Sequence, residues 1–214
     1  MDYSLANIID DNMPTKQKIM INALKLFCTK GYSETSIRDI ANEVGIAAGS
    51  IYGHFPSKEK LLQNMLNDYA EYTKNLFGKI DIAPILTEKP TGEGVSICIM
   101  SSVAILTGSV YYANLVHLIH QEQHRNPLFG NFVLIRMQDT KEFVGKIVDY
   151  LKGMKVISDE VDSDMWGAFA YSLFHTISSC AAINSAQRAS GYFVTDLGPM
   201  LRCLFDAMIC TYKL

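Results

Sequence analysis

Residues 31–61 read GYSETSIRDIANEVGIAAGSIYGHFPSKEKL, two short helical patterns joined at a glycine. After Gly31, either Thr35 or Ser36 offers a side-chain oxygen to cap a helix, and Ile37, Ile40, Ala41 and Val44 then recur at the spacing of one buried helical face. Gly45 breaks that helix within three turns. A third helix is expected from about Ala47 to Phe55, with Ile46, Ile51 and Phe55 as its apolar anchors. Pro56 stops it, and Ser57 caps a fourth that carries Leu61, Leu62, Met65, Leu66 and Tyr69 to about Phe77. A brace helix, a tight glycine turn and a helix of about two turns form the geometry in which a recognition element enters a major groove.

Working outward, the segment upstream predicts a helix from about Thr15 to Lys30, with Ile19, Ala23, Leu26 and Phe27 on one face and Gly31 at its end. Pro84, Pro90, Gly92 and Gly94 interrupt the pattern between Gly78 and Gly94, which reads as a linker. Beyond it, helical periodicity predicts elements at about Val95 to Leu106, Ser109 to His124, Leu128 to Gly153, Ser163 to Ala189 and Asp196 to Tyr212. The fold class is therefore all-α. The expected organisation is a helix-turn-helix module over residues 1–57, preceded by a short flexible terminus at 1–13, then a connecting helix at 58–77 and a larger helical domain at 78–214.

Hydrophobic residues are 49% of the 214 and charged residues 19%, so the chain buries a core and is not of the disordered, highly charged class. A net charge of -3 argues against coating nucleic acid or anionic membrane with the whole surface. The local balance is different. From Pro14 to Lys60 the bases Lys16, Lys18, Lys25, Lys30, Arg38, Lys58 and Lys60 outnumber the acids Glu34, Asp39, Glu43 and Glu59. Cys28, Cys98, Cys180, Cys203 and Cys210 are odd in number and scattered through apolar runs, the pattern of reduced cysteines in a cytoplasmic protein. Met1 to Met13 carries Asp2, Asp10 and Asp11 where a signal peptide needs basic residues. Val95 to Gln121 and Met165 to Ile183 lack charge, but serines, Asn114 and histidines dilute them, and two buried helices are expected there instead of membrane spans.

The DNA candidates follow from the chemistry of a duplex. Thr35 and Ser36 lie at a helix N-terminus, where hydroxyls, N–H groups and the helix dipole favour an anion. Tyr52, His54 and Lys58 add donors near the end of the recognition helix. Arg38 and Ser50 have the reach and chemistry for base edges, and Ala47 and Ala48 for thymine methyls. Singly, each has a plainer reading: Tyr52 and Phe55 as mini-core aromatics, Lys58 as a solvated charge, His54 as a surface histidine. Together the run Ile19, Ala23, Leu24, Leu26, Phe27, Gly31, Tyr32, Thr35, Ser36, Ile37, Ile40, Ala41, Gly45, Ile46, Gly49, Ile51, Tyr52, His54, Phe55, Ser57, Lys58, Glu59 and Leu61 resembles the signature of the TetR/AcrR family of transcriptional regulators. The resemblance implies that Thr35 or Ser36, the stretch from Ala47 through Gly49 and Gly53 to His54, and Lys58 face DNA. It also implies that the rest of the chain binds a ligand and dimerises. Ala47, Ala48 and Gly53 depart from the family's usual Ser or Thr, Lys and aromatic.

For the larger domain, Tyr111, Tyr112, His117 and His120, with Tyr171 and His175, are the expected lining of an apolar pocket with a few polar groups. His117, His120 and His124 share one helical face, but no HExxH or cysteine cluster accompanies them, and no metal or other cofactor is expected. A Cys/His enzyme is the competing class, although GxSxG and GxxxxGK[ST] are both absent. A TetR-like fold that binds a protein partner in place of DNA is another. The expected function is a repressor, released from a palindromic operator by a small apolar or aromatic inducer. The expected homodimer uses the last two helices, through the small residues Ala168, Ser172, Ser179 and Ala182 and a stripe of Leu197, Leu201, Leu204, Phe205 and Met208. The helix from Ser57 to Phe77 is expected to be the one lever between the two functions.

Overall fold

The computed structural model describes residues 5–10, 12–173, 175 and 197–214. After a 3-10 turn at Leu5–Ile8 come α1 (Thr15–Lys30), α2 (Ile37–Val44), α3 (Ala48–His54), α4 (Lys58–Lys79) and α5 (Ile82–Glu88). They are followed by α6 (Gly92–Gly108), α7 (Val110–Glu122), α8 (Pro127–Gly153), α9 (residues 163–173 as described) and α10 (Leu197–Tyr212). Among the described residues the only extended pairing is one isolated bridge, Ile157 with Lys213. The chain is all-helical, as its periodicity predicts.

Two compact units divide it, residues 1–73 with 106–133, and residues 74–105 with 134–214. These differ from the expected boundaries at 57 and 77. The helix-turn-helix does not pack by itself, because α7 lies along α1. That second neighbour explains why Met20, Ile21 and Leu24 are buried in addition to Ile19, Ala23 and Phe27. The division falls inside α4, α6 and α8, so α4 is not the one helix shared by both units.

In the first unit Ile40 and Ala41 of α2, Ile51 of α3, Phe55 after it, Leu61, Leu62 and Met65 of α4, and Leu115 and Leu118 of α7 are all buried. The second unit has its own core, including Val95 and Cys98 of α6, Val144, Ile147 and Val148 of α8, Trp166 of α9, and Leu201, Phe205 and Met208 of α10. Leu201, Phe205 and Met208 therefore correct the expected dimer stripe. They pack inside their own chain, with Leu204 half-buried beside them. Leu197 begins α10, while Ser179 and Ala182 lie outside the described residues.

The expected linker also holds more structure than its prolines and glycines suggest. The Asp81 side chain accepts from the Ala83 N–H at 3.2 Å and starts α5, and Pro84 falls in the first turn, where a missing N–H costs little. Gly92 then lets the start of α6 approach α10. Its N–H donates to Asp206 Oδ1 at 2.8 Å, and a Cβ there would lie 2.3 Å from the Arg202 carbonyl oxygen and 2.5 Å from the Asp206 nitrogen. Among the described residues no helix is long and apolar enough to cross a membrane. Gly92→Ala should lower stability by about 1–3 kcal/mol, since the clash is with backbone and something must shift. Gly78→Ala, which meets nothing within 4 Å inside α4, should instead raise it by about 0.5–1 kcal/mol. Thermal melts of the two variants check the pair, and equal midpoints would contradict the close approach at Gly92.

Candidate nucleic-acid interface

The turn between α1 and α2 positions everything that follows it. Thr35 is 1% exposed, and its hydroxyl donates to the Gly31 carbonyl at 2.8 Å and, more weakly, to that of Leu26 at 3.4 Å. It therefore ties the turn to the end of α1, a correction to its expected place at the surface. Ser36 is the cap. Its Oγ accepts from the Asp39 N–H at 3.1 Å, and its own N–H donates to Asp39 Oδ2 at 2.7 Å. This reciprocal box, with the Ser36 hydroxyl also donating to Asp39 Oδ2 at 2.6 Å, holds the Asp39 carboxyl down at about 2. The backbone N–H of Ser36 and Lys30, 3.1 Å from the carboxylate, add to that shift. Helix geometry leaves the first N–H groups of α2 at its open end, beside exposed Arg38.

Lys58 corrects a second expectation. Its Nζ donates to the carbonyl oxygens of Tyr32 at 2.7 Å, Thr35 at 2.8 Å and Ser33 at 3.3 Å, and stands 4.4 Å from the centre of the Tyr32 ring. An ammonium has three donors, so all three are committed to the turn. Burial pulls its pKa down, and the charges of Glu34 and Glu122 pull against that. Of the other bases in the module, Lys25 pairs with Glu43 at 2.6 Å, and Lys16 lies over the Phe55 ring at 5.6 Å. Sequence reasoning missed both clamps, because neither a lysine nor a threonine announces whether it faces solvent or its own chain's carbonyls.

The turn into α3 depends on Gly45, which is left-handed with φ 78° and ψ 32°, and on the N–H groups of Gly45 and Ile46 both donating to the Ala41 carbonyl at 2.9 and 3.0 Å. Ile51 and Phe55 are fully buried, and α3 packs against α2. The opposite face is open. Ala47, Gly49, Ser50, Gly53 and His54 are exposed, Ala48 is half-buried, and Tyr52 is 54% exposed, against its reading as a core aromatic. No atom lies within 4 Å of where a Cβ on Gly49 or Gly53 would stand, so the helix backbone itself is approachable there. The side chains of Arg38 and His54 form no hydrogen bond or ion pair with other described residues.

The expected ligand residues fall into two sets. In the first unit Tyr112 stacks on Tyr72 with ring centres 4.2 Å apart and meets Tyr69 at 5.5 Å and Tyr111 at 5.3 Å, and Tyr69 meets Phe132 at 5.7 Å. As pocket lining, the sequence reading names only Tyr111 and Tyr112 of this cluster. The Tyr111 hydroxyl and His117 Nδ1 are buried with no hydrogen-bond partner among the described residues. Burial pushes the first pKa up and the second down, in each case disfavouring the charged form. His120 is half-buried on the same helix. In the second unit the Tyr171 and His175 rings stand 5.7 Å apart. Among the described residues no three His, Cys, Asp or Glu side chains gather as a metal site requires. Burial pushes the Cys28 thiol up to about 12 and the Cys98 thiol up to about 11, away from the thiolate a nucleophile needs.

A capped brace helix, a left-handed glycine and an open third helix define a helix-turn-helix of the DNA-binding kind. Residues 19–65 match the sequence model of the bacterial regulatory proteins of the tetR family. It is 52% identical over 62 residues, 28% of this chain and 21% of the relative, to the uncharacterised HTH-type regulator YuxN of Bacillus subtilis (strain 168). It is 36% identical over 81 residues, 36% of this chain and 38% of the relative, to the HTH-type transcriptional repressor KstR2 of Mycolicibacterium smegmatis. These matches span well under half of either relative. Over most of its length the chain shares the fold of a regulator assigned to the TetR family from Syntrophomonas wolfei, with a TM-score of 0.68, 18% identity and coverage of 92% and 95% of the two chains. FadR of Bacillus subtilis, solved in complex with stearoyl-CoA, has a TM-score of 0.64 at 17% identity, covering 90% and 97%. Lys58→Ala should lower the unfolding free energy by about 1–3 kcal/mol, because it strips a charged donor from three turn carbonyls. Denaturant titration reads this directly, and an unchanged midpoint would remove Lys58 from the support of the turn.

Proposed function

We propose that this protein is a DNA-binding transcriptional regulator, a homodimeric repressor whose hold on a palindromic operator is released by a small apolar or aromatic ligand. The open outer face of α2 and α3 carries the reading. Ser36, Arg38, Ala47, Ala48, Gly49, Ser50, Tyr52, Gly53 and His54 make the DNA contacts in it, while Thr35 and Lys58 hold the turn that presents them. KstR2, a repressor, supports the sign of regulation. The ligand reading rests on the orphaned Tyr111 hydroxyl and His117 Nδ1 beside an aromatic cluster, since a buried polar atom without a partner is a place where a ligand gains a hydrogen bond. FadR, solved with an acyl-CoA, supports a ligand with a long apolar part.

The proposed homodimer uses the faces of α9 and α10 that the chain's own core leaves open. Met200, Cys203, Ala207 and Cys210 form one exposed stripe along α10, and Met165 and Phe169 are exposed a turn apart on α9. Ala168 and Ser172 on α9 are small enough for close approach. A two-fold pair of these faces gives two recognition helices, and half-sites about one helical turn, ~34–36 Å, apart.

Selection from a randomised duplex pool by the full-length protein tests the reading, with a palindromic product expected and none fatal to it. Arg38→Ala should weaken binding to the selected duplex by about 5- to 100-fold, within the 1–3 kcal/mol of a lost base contact, and affect random DNA less. Equal losses on both would make Arg38 a backbone contact. Phe169→Glu should convert a dimer into a monomer in sedimentation, and a persistent dimer would move the interface elsewhere.

A further inference from the structure

Tyr32, in the turn between α1 and α2, is held by groups from four helices. Phe27 of α1 and Phe129 of α8 meet its ring edge-on, at 5.1 and 5.8 Å between centres. Lys58 of α4 covers the ring and takes the Tyr32 carbonyl. On the opposite side of the backbone, the Tyr32 N–H donates to Glu122 Oε1, on the last turn of α7, at 3.4 Å. Glu122 is 7% exposed and forms no salt bridge with any described residue. A buried carboxylate without a direct countercharge is costly, and a well-packed apolar side chain at the same place would be cheaper. Its two visible uses are to hold this one N–H and to set a negative charge in the field of Lys58.

We propose that Glu122 is a positioning residue for DNA binding, fixing the α1–α2 turn from its N–H side as Lys58 fixes it from its carbonyl side. The inference rests on the DNA-binding reading above. The turn runs directly into the Ser36 cap, so the height and tilt of α2, and with it Arg38, follow from where Tyr32 is pinned. α7 also carries Tyr111 and His117, so the residue that anchors the turn belongs to the same helix as the candidate ligand contacts.

The test uses the full-length protein with Glu122→Leu, which removes the acceptor, Glu122→Gln, which keeps one, and Glu122→Asp, which shortens the reach by a methylene. Two readouts are needed: hydrogen exchange at the Tyr32 amide relative to the α1 amides of Ala23 and Leu24, and affinity for duplexes selected by the parent protein. Glu122→Leu should speed Tyr32 exchange and weaken affinity by about tenfold each, while the α1 amides stay protected and Glu122→Gln remains within about threefold of the parent on both. If Glu122→Leu does not fold, Glu122→Asp decides, with the same selective loss at Tyr32 expected. Unchanged Tyr32 exchange, unchanged affinity, or equal loss of protection at Tyr32 and along α1 would overturn the role. A parent protein that selects no duplex ends the DNA reading itself, whereas a duplex-binding parent with an equally tight Glu122→Leu variant ends the role of Glu122 alone.

Discussion

A lysine ammonium surrounded by carbonyl oxygens is the interaction on which the first unit depends. The chain must reverse between α1 and α2 in a few residues, and the carbonyls of Tyr32, Ser33 and Thr35 all turn toward one point. Gathered carbonyl dipoles repel one another unless a cation lies among them. Lys58 supplies it from the first turn of α4, so the fourth helix closes a turn formed some 25 residues earlier in the chain. With that point fixed, Thr35 ties back to α1, Ser36 caps α2, and Gly45 delivers α3 with Ile51 inward. Each step is local, yet the first needs a side chain from outside the motif.

The second constraint is apolar. α1 buries residues around most of its circumference, because α2 covers one side and α7 another. The helix-turn-helix therefore shares its core with a helix that comes some eighty residues after α1, and the two do not form separate bodies. Tyr32 is where the polar and apolar constraints meet, with aromatic edges on its ring and opposite charges on its backbone.

Most of the fold was legible because helix ends are written in short-range chemistry. Ser57, Gly31 and Gly45 mark their boundaries, the cap of α2 is narrowed to Thr35 or Ser36, and α1 runs from Thr15 to Lys30 as its periodicity predicts. What escaped the sequence was relational. Leu201, Phe205 and Met208 plainly form a face, but periodicity cannot say whether a face meets its own chain or a second copy. Lys58 and Thr35 were recognised as important polar residues and assigned the wrong neighbour. Glu122 reads from the sequence only as a neighbour of three histidines, since nothing in the spacing says that its carboxylate faces a backbone N–H of an earlier turn. Asp81 and its short helix were hidden by the prolines and glycines around them. The exposed face of α3 was the easiest part of the site to read, because small residues there leave few alternatives.

That economy of side chains has a thermodynamic consequence. Two of the seven residues in α3 are glycines, each about 0.8–1.0 kcal/mol worse than alanine in a helix interior, and its N-cap position is an alanine with no side-chain bond. Little intrinsic to α3 beyond Ala48 favours helix, so its order is largely borrowed from Ile51 and from Phe55 at its end. Segments of this kind occupy the low end of the local unfolding scale, opening well before the molecule as a whole does. The surface that would read a sequence thus has little of its own to resist fraying, and contact with a partner would act on it partly by suppressing that fraying, an entropic cost drawn from whatever affinity the contacts supply.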